Sequence, residues 1–369
     1  MERALATTRD PRGPPRRNHR RIRLMVVDDS IVARAVLSRM IETDDCFEIA
    51  AVAASAEDAL DALRTVRVDT ILLDLEMPGV GGLKSIPKIL AAAGGARVMI
   101  VSSLANEGAE HTVAALALGA TDALPKPGTG RFHGRFSEVL IARLKALGFA
   151  DDVAAPEPQV MAPYRGGPLR AMPSDPLALL AIGASTGGIH ALNGLFKALP
   201  ARIGVPILVT QHLPTPFMPV FARQLAMTAK REAVVAEDGM LLAPDRIVIA
   251  PGDAHLTVVA AGDGAAVRLT HDPALSGCMP SVDPMLESAG ALYGAGAMGV
   301  VLTGMGRDGV HGAARLVAAG GAVLAQDEAS CAVWGMPRAV LDAGLACAAL
   351  PPDKLGRRIA SRTEDFTCR

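Results

Sequence analysis

Aromatic side chains are scarce, with one Trp, two Tyr and eight Phe among 369 residues, so the 50% apolar content comes largely from Ala, Val and other aliphatic side chains. The five cysteines, Cys46, Cys278, Cys331, Cys347 and Cys368, form no CxxC pair, and neither a zinc nor a disulfide framework gains support. No long glycine-free apolar run marks a membrane span: the uncharged stretch 288–306 holds six glycines and reads as a turn plus a buried strand. The N terminus lacks the apolar segment of a signal peptide. The expectation is a cytoplasmic chain without membrane insertion. A net charge of −1, with no basic recognition helix and no dense Arg/Lys stripe in the second half, sets nucleic-acid binding aside.

What is present divides the chain. At this length two domains can each bury a core. Residues 1–23 carry eight arginines against Glu2 and Asp10, with three prolines, so 1–21 is expected to be a disordered basic tail. From 22 to 147, short β-branched runs at 23–27, 48–52, 70–73, 97–101 and 122–124 alternate with helical patterns. Five βα units imply a flavodoxin-like, doubly wound parallel sheet with ligands at the carboxyl ends of its strands. Residues 148–176 turn rich in Pro, Gly and Ala and read as a linker. From 177 to 358 the α/β alternation resumes, with buried strands expected at 177–182, 206–210, 297–302 and 321–325. Runs at 246–250, 256–260 and 265–270, separated by turn residues, suggest a small antiparallel meander inserted in a mostly parallel sheet. Residues 359–369 form a C-terminal tail.

In the first domain Asp28 and Asp29 follow one apolar strand and Asp74 another, so three carboxylates converge at one sheet edge. Such a cluster repels itself unless a hard cation neutralises it, and oxygen donors suit Mg²⁺. Ser102 follows a third strand and Lys126 a fourth. Nucleophilic carboxylate, metal site, hydroxyl and cation are what aspartyl phosphorylation requires. Taken singly, each residue also fits a helix cap or a turn. Together, Val27-Asp28-Asp29-Ser30, Asp74 with Met77-Pro78, Ser102 and Lys126-Pro127 resemble the response-regulator receiver family. That resemblance implies phosphorylation at Asp74 by a histidine kinase as phosphodonor. It also implies Mg²⁺ on Asp29 and Asp74 with Asp28 assisting and Glu76 backbone completing the shell, a switch hydroxyl at Ser102, and Lys126 on the phosphoryl group. Receivers usually carry an aromatic residue three positions before the lysine, where this chain has Ala123.

In the second domain, Gly183-Ala184-Ser185-Thr186-Gly187 fits G-x-S-x-G between an apolar strand and a helical stretch. Small residues permit a sharp turn that exposes a nucleophilic hydroxyl, and a helix N-terminus can face an oxyanion. Ser185 as a simple helix cap fits the pentapeptide equally well. His212 follows the strand at 206–210 and is the candidate base. Asp308, in a Gly-rich loop after the strand at 297–302, can aim at that imidazole or cap the next helix. The α/β-hydrolase order would instead need an acid such as Asp283 and a late base such as His311. Gly294-Ala295-Gly296-Ala297-Met298-Gly299 matches G-x-G-x-x-G but precedes a strand, which sets a dinucleotide site aside.

The segments around Ser185, Gln211-His212 and Thr303-Gly304-Met305-Gly306-Arg307-Asp308-Gly309 resemble the catalytic domain of the chemotaxis protein-glutamate methylesterases, the CheB family. The resemblance implies a phosphorylation-activated serine hydrolase that removes methyl esters from glutamates on the cytoplasmic helical bundle of a chemoreceptor, releasing methanol without a cofactor. It implies Ser185 as nucleophile, His212 as base and Asp308 as its orienting acid, with Thr186 and the Met305 N–H at the oxyanion. Deamidation of receptor glutamines is a further expectation. The same chemistry in another sensory pathway, or a phosphorylation-dependent docking module, are the alternatives.

Overall fold

The computed structural model describes residues 20–102, 106–126, 135–148 and 168–363. The expected basic tail up to residue 19, the linker from 149 to 167, Pro127 and residues 364–369, with Cys368, lie outside them.

The first domain runs β1 (Ile22–Val27), α1 (Ile31–Ile41), β2 (Phe47–Ala53), α2 (Ala56–Ala62), β3 (Thr70–Leu73), α3 (Gly82–Ala92), β4 (Arg97–Ser102), α4 (Asn106–Ala117), β5 (Asp122–Pro125) and α5 (Arg135–Gly148). Its strands pair in parallel in the order β2-β1-β3-β4-β5. Every residue of β3 is buried, as is nearly all of β1, because helices cover both sheet faces. Ser30 caps α1 by accepting from the Ala33 N–H, and Ser55 caps α2 through the Asp58 N–H.

The second domain runs β6 (Leu179–Ala184), α6 (Gly188–Ala198), β7 (Ile207–Gln211), α7 (Met218–Ala229), β8 (Ala233–Val235), β9 (Ile247–Ile249), β10 (His255–Ala261), β11 (Gly264–Thr270), α8 (Val282–Tyr293), β12 (Ala297–Val301), α9 (Val310–Ala318), β13 (Ala322–Gln326), α10 (Met336–Asp342), β14 (Ala348–Leu350) and α11 (Pro352–Ala360). Seven strands form a parallel sheet in the order β14-β13-β12-β6-β7-β9-β8. The chain starts at the centre on β6, builds outward through β7, and returns to the other side of β6 with β12. That reversal is where α/β sheets open a crevice at their carboxyl ends.

One expectation is corrected. The run at 246–250 does not join an antiparallel meander; it is β9, paired in parallel between β7 and β8. Among the described strands, only β10 and β11 pair antiparallel to each other. Ile247, Val248 and Ile249 are fully buried, which a central strand covered on both faces requires.

The two domains touch. Val113 and Leu116 of α4 belong to the same buried apolar cluster as Ile189, Phe217 and Met218 of the second domain. Fully burying a side chain of this kind contributes roughly 1.5–3 kcal/mol, so the contact is a packed apolar interface. No helix among the described residues is long and apolar enough to cross a membrane.

Candidate active site at the carboxyl ends of β6, β7 and β12

Three adjacent strands bring three side chains together. Ser185 follows β6, His212 follows β7 and Asp308 lies in the loop after β12. The Ser185 hydroxyl is 3.1 Å from His212 Nδ1, and His212 Nε2 is 2.8 Å from Asp308 Oδ2. A carboxylate can only accept, so Nε2 carries the proton and Nδ1 presents its lone pair to the serine hydroxyl.

The serine is held by its backbone. Its N–H donates to the Thr303 carbonyl at 3.0 Å, and its carbonyl accepts from Gln211 Nε2 at 2.9 Å. The cap reading does not apply: the N-cap of α6 is Gly187, at φ 77°, without a side-chain capping bond. Among the described residues other than glycine only Lys230 and Asp245 have positive φ. The tight turn therefore places its left-handed residue at Gly187, leaving Ser185 unstrained. Gly304 is needed for a different reason: a Cβ there would lie 2.6 Å from Ser185 Cβ and 2.3 Å from Met336 Sδ. Only glycine lets the 303–309 loop lie this close to the serine.

Asp308 is almost completely buried. Burial alone opposes its charge, but His212, the Ser281 hydroxyl at 2.6 Å and the Val282 N–H at 2.8 Å outweigh that and hold its carboxyl well below the usual range. It is not a helix cap, since the N-cap of α9 is Gly309. Ser281 also caps α8 by accepting from the Asp283 N–H, and its own N–H donates to Nδ1 of buried His255.

The alternative pair falls elsewhere. Asp283 Oδ1 accepts from the Gly312 N–H at 2.7 Å, and His311 sits in the first turn of α9; no hydrogen bond joins either to Ser185 among the described residues.

The first domain covers this site. Thr186 Oγ1 donates to Asp122 Oδ2 at 3.0 Å, and the Gly187 N–H donates to the Thr121 carbonyl at 2.7 Å. Arg143 pairs with the other Asp122 oxygen at 2.9 Å. Leu116, Ala120, Thr121 and Asp122 line the cleft opposite Ser185 and His212, leaving a cavity volume of about 10 Å³. That is room for one water at most. Met305 is partly exposed, and its N–H makes no hydrogen bond among the described residues.

At the far end of the first domain, Lys126 Nζ lies 2.8 Å from Asp28 Oδ2 and 2.7 Å from Asp74 Oδ2. The carboxylate oxygens of Asp28, Asp29 and Asp74 lie within 4.8 Å of one another. Three carboxylates against one ammonium leave excess negative charge, and an all-oxygen donor set fits a hard divalent cation. Burial pushes the Asp74 carboxyl up, partly offset by Lys126. Burial works against the Lys126 charge, yet its bonds to Asp28 and Asp74 prevail and raise it. The Glu76 N–H donates to Asp74 Oδ1 at 3.3 Å. The Ser102 hydroxyl is buried and has no hydrogen-bond partner among the described residues, which suits an incoming phosphoryl oxygen. Arg34 holds this loop from α1 by donating to the Asp28 and Asp29 carbonyls.

Comparison with known proteins agrees with this geometry. Residues 180–359 match the CheB methylesterase family, and residues 24–133 match the response regulator receiver domain. The protein-glutamate methylesterase/protein-glutamine glutaminase 2 of Caulobacter vibrioides is 43% identical over 349 residues, covering 92% of this chain and 99% of that protein. The chain belongs to the CheB family. A protein-glutamate methylesterase/protein-glutamine glutaminase of Nocardioides sp. is 40% identical over 349 residues, covering 92% of this chain and 95% of that protein. The solved CheB methylesterase catalytic domain of Thermotoga maritima is 35% identical, covers 50% of this chain and 98% of that chain, and superposes with a TM-score of 0.49.

Within this CheB chain, sequence reasoning missed Ser281, Asp122 and Thr121. Ser281 carries a visible signal as a helix cap, a serine ahead of an apolar helical run with Asp283 in its first turn. Nothing local places its hydroxyl on Asp308. Asp122 and Thr121 meet the serine turn only through domain packing.

Proposed function

We propose that the chain hydrolyses γ-glutamyl methyl esters on the cytoplasmic helical bundle of a chemoreceptor, and that its receiver domain gates this activity. The single observation that carries the chemistry is the hydrogen-bonded series Ser185–His212–Asp308 at 3.1 and 2.8 Å. Ser185 Oγ attacks the ester carbonyl while His212 Nδ1 takes its proton. Asp308 stabilises the imidazolium that forms. The oxyanion is met by the Thr186 hydroxyl and the Met305 N–H. As the tetrahedral intermediate collapses, His212 returns the proton to the departing methoxide and methanol leaves. Water, deprotonated by the same nitrogen, then hydrolyses the acyl-serine and frees the glutamate carboxylate. A glutamine side chain would follow the same course with ammonia as the leaving group, as the second activity in the relatives' names suggests.

Gating follows from which donors the receiver engages. The Thr186 hydroxyl is committed to Asp122, so it cannot donate to an oxyanion while the domains are docked. Asp74 is the proposed phosphoryl acceptor from a histidine kinase, with Lys126 and Ser102 meeting the phosphoryl oxygens. Asp29 and Asp74, assisted by Asp28 and by Glu76 backbone, would hold Mg²⁺, which supplies charge neutralisation when bound. The test is methanol release from methylated receptor by wild type and Ser185→Ala. Loss in the variant supports the hydrolase, whereas equal release by both variants would overturn it.

A further inference from the structure

Apart from the receiver carboxylates, one other group of three or more metal-ligating side chains gathers among the described residues: His212, Cys278 and Asp308, with ligand atoms within 4.8 Å of one another. Cys278 lies between β11 and α8, three residues before Ser281, and is half-buried, as is His212. The two clusters differ in kind. The receiver offers only oxygen, suited to Mg²⁺, whereas nitrogen, sulfur and oxygen together suit Zn²⁺.

We propose that His212, Cys278 and Asp308 form a Zn²⁺ site that reversibly shuts off the hydrolase, with water as fourth ligand. The inference rests on the reading of Ser185, His212 and Asp308 as catalytic. Tetrahedral zinc, with ligand distances of about 2.0–2.3 Å, sets donor atoms roughly 3.4–3.6 Å apart. The His212 Nε2 to Asp308 Oδ2 separation of 2.8 Å must open slightly, and the sulfur, within 4.8 Å of both, need close by at most about 1 Å. The Ser281 hydroxyl and the Val282 N–H already fix the Asp308 carboxylate, as outer-shell partners of a metal ligand commonly do.

Protons and charge balance. The Cys278 thiol gives up one proton to solvent, and the resulting thiolate with the Asp308 carboxylate neutralises Zn²⁺. Coordination at His212 Nε2 moves the imidazole proton to Nδ1, where Ser185 Oγ accepts a hydrogen bond. The imidazole stays neutral, but the lone pair that takes the serine proton is now occupied. Inhibition thus acts on the base itself, independently of receiver docking.

The experiment uses the full chain with Asp29→Asn to weaken the receiver cluster and Asp122→Ala to release the receiver from Thr186, in otherwise wild-type and Cys278→Ser backgrounds. Co²⁺ stands in for zinc, and methanol release is followed with added Zn²⁺ and after chelation by EDTA. The expected result is one Co²⁺ bound with a near-ultraviolet thiolate-to-cobalt band that Cys278→Ser abolishes, and Zn²⁺ inhibition that EDTA reverses. Removing even an outer-shell partner costs roughly 10–100-fold in metal affinity, so loss of the sulfur should raise the Zn²⁺ needed for half-inhibition at least about tenfold. Without added metal, Cys278→Ser retains its methanol release. No thiolate band, or equal inhibition of both proteins, overturns the proposal. If the metal-free protein releases no methanol, the hydrolase reading fails, while the Co²⁺ band still reports whether the site exists.

Discussion

The hydroxyl of Thr186, next in sequence to the nucleophile, donates to Asp122 of the receiver at 3.0 Å, and both side chains are buried. A regulatory domain is therefore bonded to a group beside the reacting centre. A hydrogen bond to a charged partner contributes about 1.5–3 kcal/mol, and 1.4 kcal/mol is about tenfold in an equilibrium. Asp122→Ala should raise methanol release in the absence of a phosphodonor by roughly tenfold. Unphosphorylated rates equal to wild type would show that this bond does not hold the domains together. Asp122→Asn, which keeps the size of the side chain near Arg143, is the companion variant.

Ser281 positions Asp308 through its hydroxyl. Its removal leaves a buried carboxylate oxygen without its 2.6 Å donor, and the same hydroxyl caps α8. Ser281→Ala should lower kcat by about 10- to 100-fold with little change in KM, and lower stability by about 1 kcal/mol through the lost cap. Steady-state kinetics beside urea unfolding separates the two effects. Loss of stability with kcat unchanged would make Ser281 a cap and nothing more.

Asp283 introduces a pH dependence of stability. Burial, with the Asp308 charge adding to it and the Gly312 N–H opposing, pushes its carboxyl up to about 6. The folded protein thus binds this proton more tightly than the unfolded chain, where a carboxyl titrates near 4. The contribution is full below about pH 4 and is lost as pH rises through about 6. Asp283→Asn should flatten this part of the Tm profile between about pH 4 and 7. Parallel Tm profiles for wild type and variant would contradict it.

Much of the site was legible because its residues follow apolar runs. Asp28, Asp74, Ser102, Ser185, His212 and Asp308 each lie at or after the end of a buried parallel strand, where both folds place ligands. The segment at 246–250 misled because a short β-branched run between turns has the same periodicity in either pairing direction; β9 is parallel because β7 and β8 flank it. Strands β8 and β14, three residues each, are too short to leave a pattern. The Asp122–Thr186 bond and the approach of Cys278 to His212 join segments 64 and 66 residues apart. Composition and spacing carry no trace of such contacts, which packing alone creates.

Ser185, His212 and Asp308 are proposed to form a competent hydrolase that its own receiver holds off. The most direct test is methanol release from methylated receptor by wild type and Asp74→Asn, each with and without a phosphodonor and Mg²⁺. The predicted result is strong stimulation of wild type and none of Asp74→Asn. Equal rates for wild type with and without phosphodonor would contradict it.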